Sequence, residues 1–214
     1  MKSKGIVLDK YKNRRKVNKD LDEHYFDNID SVEKAYMLGF IAADGNINKP
    51  KNINSSYRLT IEILEKDREI LDRFNIGNNI LHCEKKSSVY MCIYSNNICK
   101  NLNNYGITER KSLTLKFYNG LSNDLISHYI RGYFDGDGCI YVSKNKYNRV
   151  IIAGTFEFLN EIANNINVPV HINSINNIFE LRISEQEHVK LFYDYLYKDN
   201  DGFYLHRKHD KFIV

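Results

Sequence analysis

Two aspartates in equivalent settings are the first candidates for chemistry in this sequence. Asp44 stands in the phrase GFIAADG at Gly39–Gly45, and Asp137 stands in GYFDGDG at Gly132–Gly138, 93 residues further on. Mg²⁺ binds proteins through one or two carboxylates together with phosphate oxygens of the substrate. A metal ion that bridges a phosphodiester can position water and stabilise the leaving oxygen. The pair therefore predicts metal-assisted chemistry on phosphate.

Basic residues recur at a matching distance behind each acid. The phrase ITERKSLTLKF carries Arg110 and Lys111, and YLHRKHDKF carries Arg207 and Lys208. The distance from acid to lysine is 67 residues in the first case and 71 in the second. The chain therefore reads as a duplicated unit, because two unrelated turns would not share such long-range spacing.

Each acid is predicted to end a helix. A first helix over residues 31–43 would begin at the N-cap Ser31, and a small-residue stripe follows one face at Ala35, Gly39 and Ala43. Gly132 and Gly136 form the same stripe in the second helix. A glycine inside a helix costs about 1 kcal/mol relative to alanine, so we expect the two helices to pack closely against each other. Asp44 and Asp137 would then meet at neighbouring helix ends, each before a glycine of the usual C-terminal cap type.

Alternating residues predict strands that hold these helices. Residues 57–63 place Tyr57, Leu59, Ile61 and Ile63 on one face, and similar alternation recurs at Val89–Ile93 and Phe179–Ile183. A short helix is expected over residues 67–74. The order in each half is helix, two strands, helix, two strands, helix. Sheets with one apolar and one polar face favour helices on one side and a large polar ligand on the other.

Composition limits the class of protein. The chain has 214 residues, of which 43% are hydrophobic and 27% charged, which is typical of a globular protein. No apolar run reaches the length of about 20 residues that spans a bilayer, and we expect no membrane association. Its four cysteines lack the C-x-x-C spacing of zinc ribbons. Eight of the first 20 residues are Lys or Arg against two Asp, so a basic arm could bind phosphate.

The two motifs resemble those of the LAGLIDADG homing endonucleases in their single-chain form with two motifs. The resemblance rests on Ala35–Ile47 and Tyr129–Ile140, and the duplicated pattern extends it over residues 20–214. It implies an α+β fold of two pseudo-symmetric αββαββα repeats that form a saddle, with the motif helices packed at the centre and antiparallel sheets facing DNA. The expected division is a basic N-terminal arm at 1–30, a first repeat at 31–118 and a second repeat at 119–214.

The same resemblance implies the site. The last acid of each motif, Asp44 or Asp137, would bind the catalytic metal, and the preceding residues Ala43 and Gly136 would belong to the metal site. Lys111 and Lys208 are the repeat-matched candidates for the basic residue near each active site. Mg²⁺ is the expected cofactor, with Mn²⁺ as a substitute. An earlier motif acid is present as Asp135 in the second copy and is replaced by Ala42 in the first.

Double-stranded DNA is the partner that the resemblance implies. The protein is expected to be an intracellular monomer, in a bacterial or phage-infected cell or in an organelle, and to hydrolyse one phosphodiester in each strand. Because the halves differ at their outward-facing positions, the target should be asymmetric. Candidate DNA-contacting residues are the polar and aromatic side chains on the outer sheet faces, where bases or phosphates would be contacted: Arg58, Thr60, Glu62, Tyr90, Tyr141, Ser143, Lys144, Arg149, Glu180 and Arg182.

Two other functions fit the same fold. One is an intron maturase that binds RNA, and the other is a DNA-binding regulator that does not cleave. The presence of both acids favours the nuclease, since a protein that only binds needs no pair of metal ligands.

Overall fold

The structure is a computed structural model that describes residues 20–50, 52, 54–74, 76–77, 80–83, 87–144, 147–199 and 202–212. The predicted basic arm lies mostly outside these residues, so its role and the division at residues 118 and 119 stay predictions. Among the described residues, no helix combines the length and the apolar character that crossing a membrane requires.

The same order of elements occurs twice along the chain. The first half contains α1 (Val32–Asp44), β1 (Gly45–Asn48), β2 (Arg58–Leu64), α2 (Glu69–Arg73), β3 (Ile80–Cys83), β4 (Ser88–Tyr94) and α3 (Asn96–Asn104). The second half contains α4 (Asn123–Asp137), β5 (Gly138–Val142), β6 (Asn148–Gly154), α5 (Phe156–Ile166), β7 (His171–Ile175), β8 (Ile178–Ile183), α6 (Gln186–Tyr197) and the short α7 (His206–His209).

Each half forms one four-stranded antiparallel sheet, and the two sheets have the same topology. The strand orders are β1-β2-β4-β3 and β5-β6-β8-β7. In β2 the side chains of Leu59, Ile61 and Ile63 are buried and those between them are not, as the alternation predicted. The predicted α+β fold of two αββαββα repeats is therefore confirmed.

Helices α1 and α4 make the most extensive contact between elements. A Cβ atom added at Gly39 would lie 1.9 Å from the carbonyl oxygen of Tyr129, and one added at Gly132 would lie 1.9 Å from that of Tyr36. Only residues without a side chain allow the backbones to come this close. The predicted central helix pair is confirmed, and the two contacts are equivalent, with the roles of α1 and α4 exchanged.

The start of α1 follows the sequence prediction, but both motif helices end differently. The Ser31 hydroxyl accepts a hydrogen bond from the backbone N–H of Lys34 at 3.2 Å, as an N-cap does. The prediction of ordinary glycine caps was wrong, because Gly45 (φ −74°) and Gly138 (φ −85°) are extended rather than left-handed. Each helix passes directly into a strand, and a Cβ at Gly45 would lie 2.5 Å from the Ile41 carbonyl oxygen.

The predicted helix at residues 67–74 is shorter than expected. A 3₁₀ turn at Glu65–Asp67 precedes α2, which has only five residues. The turn buries Asp67, whose carboxylate has a distant partner described below. Because this partner is distant in sequence, the local amphipathic pattern did not predict where α2 begins.

Candidate functional site

Asp44 and Asp137 are the last residues of α1 and α4, and the close crossing of these helices brings their ends together. A Cβ atom at Gly136 would lie 3.3 Å from the Asp44 carboxylate and 2.2 Å from the Cβ of Ala43. The four residues that the sequence assigned to the metal site therefore lie at one place, at the C-terminal ends of the helix pair.

Both carboxyl groups are destabilised in their charged form. Burial, the largest cause, and the negative charge of Asp137 together raise the pKa of Asp44 to about 6, against the opposing charges of Lys208 and Lys111. The pKa of Asp137 is also raised, because protein atoms reduce its hydration, while Lys111, the Tyr133 hydroxyl and Lys208 oppose the rise. A cation at this position would relieve the cost in both groups.

The two lysines of the basic phrases lie directly behind the acids. The Lys111 ammonium group donates to the carbonyl oxygen of Ala43 at 2.7 Å. The Lys208 ammonium group lies near four carbonyl oxygens, those of Phe134, Asp135, Gly136 and Gly138, at 2.5–3.2 Å. Each lysine thus stabilises the negative end of its own motif helix. Burial lowers the pKa of both, that of Lys208 to about 8.

Two cavities flank the helix pair, one beside each acid. The first, called here the Asp44 cavity, has a volume of about 470 Å³ and contains Gly136 in its wall. The second, the Asp137 cavity, has a volume of about 190 Å³ and contains Ala43 and Lys111. Each cavity therefore joins one acid to the residue that precedes the other acid. The arrangement provides two sites, each built from both halves of the chain.

The donor atoms at these sites fit a hard divalent cation. They are carboxylate oxygens of Asp44 and Asp137, and oxygen is the ligand that Mg²⁺ prefers. The backbone carbonyl oxygens of Ala43 and Gly136, also assigned to the site, already accept hydrogen bonds from Lys111 and Lys208 and would bind a cation through their second lone pairs. No three His, Cys, Asp or Glu side chains among the described residues come close enough to share an ion. A cation held here would complete its coordination with water and with phosphate oxygens.

Asp135 has a different role from the other two motif acids, Asp44 and Asp137. It is 1% exposed and accepts hydrogen bonds from the Tyr36 hydroxyl at 2.7 Å and the Leu205 backbone N–H at 2.8 Å. Burial raises its pKa to about 6. Asp135 thereby connects α4 to α1 and to the segment before α7, while Ala42 occupies the corresponding place in the first half.

An ion pair that the sequence did not predict forms the wall of the Asp44 cavity. The Arg207 guanidinium binds the Asp67 carboxylate through two hydrogen bonds, at 2.5 and 2.7 Å. Asp67 is 4% exposed and belongs to the first half, while Arg207 belongs to the second. Arg207 was visible in the basic phrase, but no local pattern marks Asp67 as its partner, since 140 residues separate them.

The ten candidate DNA-contacting residues all lie outside the core. Several are engaged with other protein groups: Arg182 pairs with Glu180 at 2.7 Å, and the Ser88 hydroxyl donates to Glu62 at 2.9 Å. Glu62 also lines the Asp44 cavity, which the sequence had not indicated. Of the remaining candidates, the structure places Arg58 and Thr60 on β2, Tyr90 on β4, Tyr141 on β5, Ser143 and Lys144 after β5, and Arg149 on β6.

Comparison with known proteins identifies the fold. No protein-family model and no curated protein matches the chain. A solved structure of the LAGLIDADG meganuclease I-AabMI bound to uncleaved DNA is similar, with a TM-score of 0.54 and 18% identity over 76% of this chain and 82% of that one. The homing endonuclease I-WcaI, bound to its DNA recognition sequence, matches with a TM-score of 0.54 and 16% identity over 88% and 90%.

A third solved structure with the same fold carries no nuclease in its name. Full-length DUF199/WhiA from Thermotoga maritima matches with a TM-score of 0.51 and 15% identity, over 82% of this chain and 59% of that one. At these identities the likeness establishes the fold, and the function has to be argued from the site.

Proposed function

We propose that this chain, which has the fold of the LAGLIDADG homing endonucleases, is a site-specific double-stranded DNA endonuclease. The observation that carries the proposal is the pair of acids at the crossing of α1 and α4. Asp44 and Asp137 each open onto a cavity, and each helix end that presents an acid has a buried lysine behind it. Two equivalent sites in one chain are what cutting both strands of a duplex requires.

In this proposal Asp44 and Asp137, with the carbonyl groups of Ala43 and Gly136, hold Mg²⁺, for which Mn²⁺ would substitute. A bound divalent cation supplies charge stabilisation for the phosphate and a lowered pKa for an attacking water. The protein residues orient the scissile phosphate and keep the acids ionised. Lys111 and Lys208 act from behind as positioning residues, because their ammonium groups hold the helix ends and offset the charge of the two acids.

The proposed partner is double-stranded DNA along the outer faces of the two sheets. The solved structures of I-AabMI and I-WcaI are bound to DNA, and here the same fold exposes polar and aromatic side chains on those faces. The halves differ there. Tyr141 on β5 pairs with Arg149 on β6. At the corresponding positions of the first half, Asn48 on β1 pairs with Arg58 on β2, so the tyrosine is replaced by asparagine. We therefore propose an asymmetric target, cut by a monomer.

The test is incubation of the protein with a randomised duplex library in Mg²⁺, followed by sequencing of new DNA ends. We expect recurrent staggered ends at one asymmetric sequence. Asp44→Asn and Asp137→Asn should abolish them, and Glu23→Gln, which changes an exposed acid that lines neither cavity, should not. A symmetric target would contradict the proposed role of the unequal sheet faces.

Two outcomes would replace the proposal by an alternative. Selective DNA binding without any new ends, in Mg²⁺ or Mn²⁺, would indicate a regulator that does not cleave. Absence of DNA selectivity would lead to the maturase function, tested next by binding to intron RNA.

A further inference from the structure

The two cavities are built from equivalent positions but differ in chemistry. The strand registers pair Gly45 with Ile61 and Gly138 with Ile152, so residues of β2 correspond to residues of β6 that lie 91 positions later. By this correspondence Glu62 matches Ala153. The pairings of β2 with β4 and of β6 with β8 then match Ser88 to Ile178.

In the described part of the chain, the lining of one cavity is acidic and that of the other is nearly neutral, and the exchange of Glu62 for Ala153 contributes one of the acids. Among the described residues, Asp44, Glu62, Asp67 and Asp135 line the Asp44 cavity, and Arg207 is the cation that faces them. The Asp137 cavity is lined by one acid and one lysine, and Ala153 and Ile178 replace the hydrogen-bonded pair of Glu62 and Ser88. The first cavity also has more than twice the volume, about 470 against about 190 Å³.

A second observation points to a ligand in the larger cavity. The Oδ1 atom of Asp135 is buried and has no hydrogen-bond partner among the described residues, although the other oxygen of the same carboxyl group accepts two hydrogen bonds. An unpartnered buried polar atom is costly and is usually satisfied by water or an ion. Asp135 belongs to the wall of the Asp44 cavity, so its charge acts on a cation there, although Oδ1 itself has almost no accessible surface.

We propose that the Asp44 cavity binds its divalent cation more tightly than the Asp137 cavity does, and that Glu62 positions the water shell of that cation. Each additional carboxylate increases the affinity of an oxygen site for a divalent cation. Because no three acids lie close enough to coordinate one ion directly, the extra carboxylates act through bound water. Mg²⁺ retains several waters when it binds, and the larger cavity accommodates them.

A consequence follows for strand order, and it rests on the proposed nuclease function. When the cation concentration is limiting, the Asp44 cavity is filled first. The DNA strand bound at that cavity is therefore cut first, and nicked DNA accumulates. At saturating cation both cavities are filled and the nicked form becomes transient.

The first experiment measures cation binding without DNA or activity. Metal-free protein is titrated with Mn²⁺, and free Mn²⁺ is followed by electron paramagnetic resonance. We expect two classes of site, of which Asp44→Asn removes the tighter and Asp137→Asn the weaker. Glu62→Gln, which retains an acceptor for the Ser88 hydroxyl, should weaken the tighter class by about 3- to 10-fold, and Ala153→Glu should strengthen the weaker class.

Glu23→Gln serves as the control because it removes an exposed negative charge that lies in neither cavity. It should leave both classes unchanged. The inference would be overturned if the tighter class of Mn²⁺ site had the same affinity in Glu62→Gln as in the unsubstituted protein. A single class of Mn²⁺ site in the unsubstituted protein would also overturn it.

The second experiment uses a supercoiled plasmid that carries the selected target, at limiting and saturating Mg²⁺. We expect nicked plasmid to accumulate at limiting Mg²⁺ and to decrease in Glu62→Gln. Cutting of both strands together at every Mg²⁺ concentration, with the same products from Glu62→Gln, would reject the strand order while leaving the nuclease function intact. Absence of any cutting would reject the nuclease function, and the Mn²⁺ titration would still decide the order of binding.

Discussion

At the scale of single residues, the site is a set of acids and lysines whose charged forms are destabilised by burial. Asp44 and Asp137 lie beside each other at the negative ends of two helices, and the pKa of each is raised. Lys111 and Lys208 are buried, and the pKa of each is lowered. Such opposed shifts are common where charges are held for function rather than for stability. Removing one of these charges therefore has different effects on stability and on activity.

Asp44→Asn is expected to stabilise the metal-free protein at neutral pH. In the fold the pKa of Asp44 rises from 3.8 to about 6, so the folded protein binds this proton more tightly than the unfolded chain. Its contribution to stability is full below the unfolded value and is lost as pH rises through about 6. We expect the free energy of unfolding at neutral pH to increase by about 1–2 kcal/mol, after allowance for partial exposure.

Urea unfolding across the acidic and neutral range measures this difference, and the advantage of Asn should shrink as the pH falls below about 6. Asp124→Asn is the matched control of opposite sign. A hydrogen bond from Ser122 lowers the pKa of Asp124 in the first turn of α4, so this substitution should reduce stability at neutral pH. A loss of stability in Asp44→Asn would show that the carboxylate is not strained.

Lys208→Met is expected to destabilise the protein more than Lys111→Met. The Lys208 ammonium group lies near four carbonyl oxygens and that of Lys111 hydrogen-bonds to one, and buried acceptors left without a donor are costly. We expect the free energy of unfolding to fall by about 2–3 kcal/mol in Lys208→Met and by about 1 kcal/mol in Lys111→Met. Guanidinium unfolding curves of the two variants provide the comparison, and equal losses would contradict it.

At the scale of elements, the sequence predicts what depends on short-range pattern. The alternation at Leu59, Ile61 and Ile63 identifies β2, and the glycine stripes identify the faces on which α1 and α4 meet. The shortened α2 and the Asp67–Arg207 pair were not predictable, since they depend on contacts between residues 140 positions apart. The cavity linings escaped prediction for the same reason, because each combines a sheet of one half with the basic phrase of the other.

Gly39→Ala and Gly132→Ala are expected to separate the helix pair. The new methyl group would lie 1.9 Å from a backbone carbonyl oxygen in each case, and neither backbone can move without displacing its whole helix. We expect a loss of about 3 kcal/mol or more in the free energy of unfolding. Gly120→Ala is the control, because the atoms nearest to its methyl group would belong to the Tyr118 side chain, which can move, and not to backbone. A melting temperature of Gly39→Ala equal to that of Gly120→Ala would exclude the close crossing.

At the scale of the whole molecule, the halves are held together differently on the two sides of the helix pair. On one side the ion pair of Asp67 and Arg207 joins the 3₁₀ turn before α2 to α7. On the other side the Thr155 hydroxyl donates to the Leu115 carbonyl oxygen at 2.6 Å, and the rings of Phe117 and Phe158 are in contact. The repeat-matched Arg110 is exposed in a left-handed conformation, with φ of 55°. The pseudo-symmetry of the fold therefore does not extend to the forces between its halves.

Arg207→Ala is expected to cost about 2–3 kcal/mol in the free energy of unfolding, because it leaves the buried Asp67 carboxylate without its partner. Arg110→Ala, at the matching position of the first half, should change it by no more than about 0.5 kcal/mol. Thermal unfolding of both variants, completed by Asp67→Ala and the double variant, gives the coupling energy of the pair. Additive effects in that cycle would show that the two groups do not interact.

The crossing of α1 and α4 has a consequence for how such a chain can change. Its closest contacts are between backbone atoms at Gly39 with Tyr129 and Gly132 with Tyr36, and backbone is the same in every protein. A contact between backbone atoms therefore depends little on which side chains the opposite half carries. A chain built on it can recombine: a half taken from a distant relative needs to preserve the two glycines and the few side-chain contacts between the halves, such as Tyr36 with Asp135 and Asp67 with Arg207, while its outer sheet face varies independently.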